Sequence, residues 1–331
     1  MHAHVLVSGI SRLVSGQEGA AAEEAEQRRG FGAESSALNA ERFRSDWLEP
    51  LTSLPARLAI MDSSGVDTQA ISISPTQYHY WADTALSREI VDAANAGLAA
   101  LAAQAPDRLV ALATVALQHP DLAAEQLRHA MTTSGMRGVQ IGTIAGGKDF
   151  SDPAYDVFWA AAAELSALVF VHPWGCGLAG RLSKFYLGNV VGQPTETTVA
   201  LSHIVFGGVL DRHPDLRICA AHGGGYFPYY LGRADHAYHT RPECRTMARP
   251  PREYLRSLYF DSLVYDDATL NRLVEVAGAD RVLLGSDYPF DMGVADPIGR
   301  LQCLPLAQRV AVAGSNAMEL LALDAPVRHG N

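Results

Sequence analysis

Short apolar runs recur along the chain, each followed by a longer stretch in which apolar residues return every three or four positions. The run at 66–74 (VDTQAISIS) leads to helical spacing over 85–105, and that at 109–117 (LVALATVAL) leads to 121–133. Residues 136–142 (MRGVQIG) precede a helical stretch over 153–165; 167–171 (ALVFV) precede, after a longer connection, one over 196–210. The runs 216–221 (LRICAA), 258–262 (LYFDS) and 281–284 (RVLL) continue the series, and Val5 with its neighbours begins it. None is long enough to cross a membrane, and all suit buried strands. Eight strand–helix units in alternation predict a parallel sheet closed into a (β/α)₈ barrel of the α/β class, a single domain over residues 1–331. A doubly wound open sheet is the rival arrangement.

Residues 9–55 break this rhythm: they are polar and charged, and lie between the first strand and the first barrel helix. A stretch of that length is expected to be an insertion over the barrel mouth rather than a structureless loop. The formal net charge of −10 argues against a nucleic-acid partner, which would need clustered Lys and Arg. It leaves room for a small anionic substrate held by local arginines. The four cysteines are scattered with no metal-knuckle spacing, and the opening Met-His-Ala-His has neither a basic nor an apolar leader region. A cytoplasmic protein with no membrane association is the expectation.

Polar residues of one kind stand where these strands end. His2 and His4 alternate, so both face one side of a strand. His172 follows VFV, His222 follows ICAA, and Asp287 follows VLLGS. The carboxyl ends of barrel strands are where active sites of such folds are built. Each residue alone has a structural explanation: a satisfied core histidine, a frayed N-terminal tail, a turn aspartate. Together they would have to place ligand-type side chains on strands one, five, six and eight by coincidence, so a site for a Zn²⁺-like ion is the better reading. His119, His129, His213 and His329 lie in loops, on a helix or in the tail and read as surface or structural, as does His203.

The ordered set His-Ala-His, Val-His-Pro-Trp at 171–174, His-Gly-Gly-Gly at 222–225 and Leu-Gly-Ser-Asp-Tyr-Pro-Phe at 284–290 resembles the amidohydrolase-related, metal-dependent decarboxylases. The likeness runs over about 43–316 and includes Gly-Val-Asp at 65–67, Gly-Val-Gln-Ile-Gly at 138–142 and Leu-Gly-Arg-Ala-Asp at 231–235. It implies Zn²⁺, with another divalent metal such as Mn²⁺ as the alternative, on His2, His4, His172 and Asp287. It implies that His222 moves the proton of the water activated there, with Asp287 also catalytic. Arg44, in the Phe43-Arg44 pair, would bind a substrate carboxylate. Arg241, near His239, would do so across the interface of a homodimer, and Phe185 would stand where the family has a substrate-binding Trp.

The reaction implied is non-oxidative loss of CO₂ from a carboxymuconate semialdehyde or a related small carboxylate. Hydrolysis or hydration by the same metal site is the alternative, as is decarboxylation of a hydroxybenzoate, although such relatives carry His-x-Gly-Glu where this chain has His222 to Gly225. A catalytically silent relative kept as a binding protein is a further reading, which metal content would separate from the enzymes. Two departures from the family pattern bear on these expectations. Only Met1 precedes His2, where the family has a strand carrying an Asp. Inclusion of in-frame upstream residues, where the gene has them, is therefore expected to raise metal content and stability. The segment Gln77-Tyr78-His79-Tyr80-Trp81, with Phe185, is expected to reshape the substrate pocket.

Overall fold

In the computed structural model, which describes residues 1–323, eight parallel strands form the centre of the molecule. They are β1 (His4–Val5), β2 (Gln69–Ile73), β3 (Leu109–Ala111), β4 (Gly138–Ile141), β5 (Leu168–Val171), β6 (Arg217–Ala220), β7 (Leu258–Asp261) and β8 (Val282–Leu283). Strands β1 to β3 are paired in order, and so are β4 to β8. Two single bridges, Ala113 to Val139 and Ala3 to Tyr288, join the groups at both seams and close the barrel. The open-sheet rival is thereby excluded. Strand β1 is short but held on both sides: Ser72 N–H donates to the Ala3 carbonyl at 3.0 Å, and His4 N–H to that of Tyr288 at 2.8 Å.

The helices after the strands begin where the sequence offers a cap. We label the insertion helices α1 (Ser8–Val14) and α2 (Glu18–Arg42), and the barrel helices α3 (Leu54–Ser63), α4 (Thr84–Ala103), α5 (Pro120–Thr133), α6 (Asp156–Glu164), α7 (Gln193–Phe206), α8 (Leu231–Thr240) and α9 (Asp267–Ala277). Ser53, Asp83 and Asp266 accept backbone N–H groups at the starts of α3, α4 and α9, and Pro residues occupy the first turns of α3, α5 and α7. Two short helices, Leu306–Val310 and Asn316–Leu320, follow β8 and complete the ring. No helix among the described residues is long and apolar enough to cross a membrane.

Alternation along the strands separates two cores. Val139, Ile141, Val169, Val171, Ile218 and Phe260 pack outward against the helices. Ala70, Leu112, Leu168, Phe170, Cys219 and Leu283 pack together inside the barrel. Side chains repeat every two residues on a strand. The inward series Leu168, Phe170 therefore continues to His172, and on β7 the inward series ends at Asp261. Burial of apolar strands on both faces is what makes β5 read as an uninterrupted hydrophobic run.

Residues 9–55 are helical. Gly32, with φ of +79°, bends α2, and a Cβ there would meet the Ser183 carbonyl oxygen at 1.8 Å. The segment rests on loops at the carboxyl ends of three strands. Glu23 accepts hydrogen bonds from His79 Nδ1 at 2.8 Å and Trp81 Nε1 at 3.0 Å; the Phe31 ring lies 5.9 Å from that of Trp174; and Arg42 pairs with Asp291 at 2.5 Å. One buried cation ties α3 to the barrel: Arg57 donates to the Gln69 side chain at 2.6 Å and to the His4 carbonyl at 2.5 Å.

Candidate metal centre

The barrel brings His2, His4, His172, His222 and Asp287 to one end of its interior, all but His222 fully buried. His2 Nε2 and His4 Nε2 stand 3.2 Å apart, and Asp287 Oδ1 lies 3.2 Å from the first and 3.1 Å from the second. His2, His172, His222 and Asp287 offer ligand atoms that all lie within 4.8 Å of one another. His222 Nε2 is the more distant neighbour, 3.7 Å from Asp287 Oδ2.

Three of the four imidazoles have their tautomer set from behind. His2 Nδ1–H donates to Asp261 Oδ2 at 2.6 Å, His4 Nδ1–H to the Ile73 carbonyl at 3.3 Å, and His172 Nδ1–H to the Pro173 carbonyl at 2.9 Å. In that neutral tautomer each offers Nε2 to the shared space, and His172 Nε2 is buried with no hydrogen-bond partner among the described residues. Nitrogen and oxygen donors bound tetrahedrally at about 2.0–2.1 Å stand roughly 3.3 Å apart. The separations among His2, His4 and Asp287 match that spacing, so this donor set fits a divalent ion. His222 differs: its Nδ1 is buried and has no partner among the described residues, and its Nε2 faces Asp287 Oδ2.

Asp261 was not singled out from the sequence. It is fully buried at the end of β7, and besides His2 it accepts the N–H of Gly223 at 2.8 Å and of Leu263 at 3.2 Å. One carboxylate therefore orients the His2 ring and anchors the turn that carries His222. The available signal was an Asp closing the apolar run LYFD, in the same place on its strand as the histidines on theirs. His222 and Asp287 both take φ of +54°, a left-handed conformation uncommon for residues other than Gly.

Electrostatics suits the arrangement. Burial depresses the pKa of His4, and that of His172 well below the usual imidazole value, with the neighbouring imidazoles adding to the second effect. Both stay neutral and able to ligate. Burial works against the charge of Asp287, but His2 outweighs it and holds the carboxyl well below its ordinary range. Asp261 is likewise lowered, its hydrogen bond from His2 overcoming burial. Burial also opposes a charge on His2, yet Asp287 and the hydrogen bond to Asp261 raise its pKa to about 9. A proton and a metal ion compete for that nitrogen.

The remaining expected residues are placed apart. Arg44 is exposed and makes no ion pair among the described residues, whereas Arg42 reaches Asp291, just beyond Asp287 in the chain. Phe185 is 84% exposed, while the adjacent Tyr186 is half-buried with its ring 6.2 Å from Phe31. Arg241 is exposed after α8 and pairs with Glu243 within its own chain. His203 bonds Ser151 at 2.8 Å, His213 lies 3.4 Å from Asp156, His119 bonds the Ala82 carbonyl, and His129 is exposed on α5. None of these four belongs to the centre; His329 lies outside the described residues.

The sequence pattern of the amidohydrolase family matches residues 1–323. The 2-amino-3-carboxymuconate-6-semialdehyde decarboxylase of Dictyostelium discoideum is 34% identical over 273 residues, 81% of this chain and 76% of that protein. The gamma-resorcylate decarboxylase of a Rhizobium species is 28% identical over 81% of this chain and 86% of its own. In fold, the chain superimposes with a TM-score of 0.79 on the dihydroxybenzoic acid decarboxylase of a Polaromonas species, solved with manganese and the inhibitor 2-nitroresorcinol. That likeness covers 93% of this chain and 96% of the other, at 24% identity.

Two predictions follow from the centre. Asp261→Asn, which removes the negative charge behind His2, should lower metal affinity about 10–100-fold. His172→Ala and Asp287→Ala should abolish tight binding. Elemental analysis and chelator competition measure both, and full occupancy in all three variants would remove these residues from the site. The second concerns pH. The raised pKa of His2 stabilises the metal-free fold fully below its unfolded value of about 6.5, and that contribution is lost as pH rises through about 9. Metal binding runs the opposite way: affinity should climb between pH 7 and 9 by up to about tenfold per unit, with release of about one proton in calorimetry. A flat profile would mean that no proton is displaced from His2.

Proposed function

The chain belongs to the amidohydrolase family, and from that premise we propose that it is a metal-dependent, non-oxidative decarboxylase of a small anionic carboxylate. The observation that carries this reading is the contrast within the centre. His2, His4 and His172 have Nδ1 held by a carboxylate or carbonyl, whereas His222 has no such partner at Nδ1 among the described residues. His2, His4, His172 and Asp287 would hold the ion, Zn²⁺ first and Mn²⁺ as the alternative. When bound, it supplies Lewis acidity at neutral pH.

The chain's own residues then handle the proton. Loss of CO₂ breaks a carbon–carbon bond whose electron pair stays on the substrate carbon, and a proton must take the place of the carboxyl group. His222 Nε2 and Asp287 Oδ2, 3.7 Å apart, form the pair that moves it. The buried walls keep bulk water from competing. Arg44 and Arg241 are the cations we assign to substrate carboxylates, and Phe185 the aromatic residue we assign to substrate binding. As these side chains are exposed, the reading requires a partner subunit to cover them. Phe185, Val190, Tyr226 and Tyr230 supply exposed apolar surface for a homodimer.

For the substrate we propose 2-amino-3-carboxymuconate-6-semialdehyde or a close relative. The family resemblance implies a Glu at the place of Gly225 in hydroxybenzoate-type relatives. Here φ is +62°, and a Cβ at that residue would meet the Pro194 carbonyl oxygen at 2.2 Å, so the turn has no room for a side chain. The four unpaired cysteines fit a reducing, cytoplasmic setting.

CO₂ release from a panel of enal and aromatic carboxylates by metal-loaded protein tests the reaction. His222→Ala should keep most of its metal and lose roughly 10²–10⁴-fold in turnover. Unchanged turnover would refute the role, and loss of metal would make His222 a ligand. The trans role of Arg241 is tested by subunit exchange between Arg241→Ala and His172→Ala chains, each inactive alone. Random mixing should restore about a quarter of wild-type activity, since about half the dimers are mixed and each has one intact site. No recovery from confirmed heterodimers would confine the arginine to its own chain.

A further inference from the structure

Two charged groups meet beside the metal centre without taking part in it. Asp291 stands on the turn after β8, four residues past Asp287, and Arg42, the last residue of α2, reaches it with Nη1 at 2.5 Å. The turn is held closed: Phe290 N–H donates to the Asp287 carbonyl at 3.0 Å, Gly293 N–H to that of Phe290 at 2.9 Å, and Val294 N–H to that of Ser286 at 2.9 Å. From the loop after β7, the Tyr265 hydroxyl donates to the Met292 carbonyl at 2.8 Å. The Phe290 ring lies 5.4 Å from that of His4, so the same turn rests on the centre.

Arg42 is only partly spent in this pair. Its Nε and Nη2 make no hydrogen bond among the described residues, and its side chain is 37% exposed. Tyr186 faces the same charges. It is half-buried beside Phe31 with φ of +58°, a left-handed backbone uncommon outside Gly. Its hydroxyl has no partner among the described residues, yet it is not sealed from solvent. Burial raises the pKa of this phenol; the charges of Asp291 and Asp287 add to the rise and that of Arg42 opposes it, so all three lie within range of one hydroxyl. It stays a donor. Arg57, also close to the centre, has both terminal nitrogens committed, to Gln69 and to the His4 and Pro50 carbonyls. An exposed ion pair alone does little for stability. A guanidinium with one nitrogen anchored and two free, however, presents a fork to an incoming carboxylate.

We infer that Arg42 and Tyr186 form a subsite for a second anionic group of the substrate, a carboxylate other than the one that is lost, with Asp291 as the positioning residue that holds the guanidinium. Unlike Arg44 and Arg241, Arg42 is seated beside the centre within a single chain. That the ligand is a substrate depends on the decarboxylase reading; that it carries a second anion depends on these side chains alone.

Calorimetry with the metal-loaded full chain compares the 1,2-, 1,3- and 1,4-benzenedicarboxylates with their monomethyl esters, which keep the ring and the spacing and lose one charge. At least one dicarboxylate should bind about 10–100-fold tighter than its ester, the range of a hydrogen bond to a charged group. Arg42→Gln should bring that ratio toward one, Arg42→Lys should restore part of it, and Tyr186→Phe should lower it roughly 2–10-fold. Arg28→Ala, which removes an exposed arginine of the same helix, should leave it unchanged. Asp291→Asn separates a subsite from a tether: it removes the ion pair, as Arg42→Gln does, but keeps the guanidinium, so the ratio should hold or rise. Equal loss in both variants, a ratio unmoved by Arg42→Gln, or no preference for any dicarboxylate would each overturn the subsite. CO₂ release from a panel of carboxylates is scored separately. A dicarboxylate preference that Arg42→Gln abolishes, without any CO₂, keeps the subsite and removes the decarboxylase reading; CO₂ release with an unmoved ratio does the reverse.

Discussion

Four imidazoles and two carboxylates crowd one end of the barrel, and burial on that scale is tolerable only when the polar atoms hold one another. Asp261 is the group on which this depends. Its carboxylate takes the His2 ring through one oxygen and the backbone of Gly223 and Leu263 through the other. Strands β1 and β7 and the turn after β6 are thus fixed to a common point. The inward alternation of the strands then supplies His172 and His4 to the same space without further adjustment.

The rest of the architecture serves that point. Closing the barrel requires β1 to lie between β2 and the segment after β8, which is why Asp287, two residues past Gly285, reaches His2 and His4 across the seam. Arg57 reinforces the same strand by bonding the His4 carbonyl. The left-handed backbone at His222 and Asp287 is strain that the surrounding hydrogen bonds sustain. Outside the barrel, α2 packs on the loops after β2, β4 and β5 and forms one wall of the cavity lined by Glu23, Tyr80, Thr143 and Trp174.

The division of labour proposed for the histidines rests on hydrogen bonds rather than on distances alone. Ligand-type rings are held by a carbonyl or carboxylate at Nδ1, whereas the ring expected to move protons lacks such a hold. An imidazole whose second nitrogen is anchored is confined to one tautomer; one without an anchor can take and return a proton.

The barrel and the centre were legible in the sequence because both rest on period-two alternation. An apolar run that ends in His or Asp announces an inward side chain at the carboxyl end of a strand, wherever the strand lies in the fold. Asp261 obeyed the same rule and was readable in LYFD, but only its contacts separate a supporting carboxylate from a ligand. The insertion and the loops follow no such rule. Successive residues of a helix are turned by about 100°, so a motif can mark a segment without saying which of its side chains faces the site. Thus Arg42 meets Asp291 while Arg44 faces solvent, and Tyr186 turns inward beside an exposed Phe185. The cavity lined by Glu23, Tyr80, Thr143 and Trp174 draws on four separated stretches of chain. Only tertiary packing decides that they line one space, because no local pattern relates residues that are brought together solely by closure of the barrel and the seating of α2.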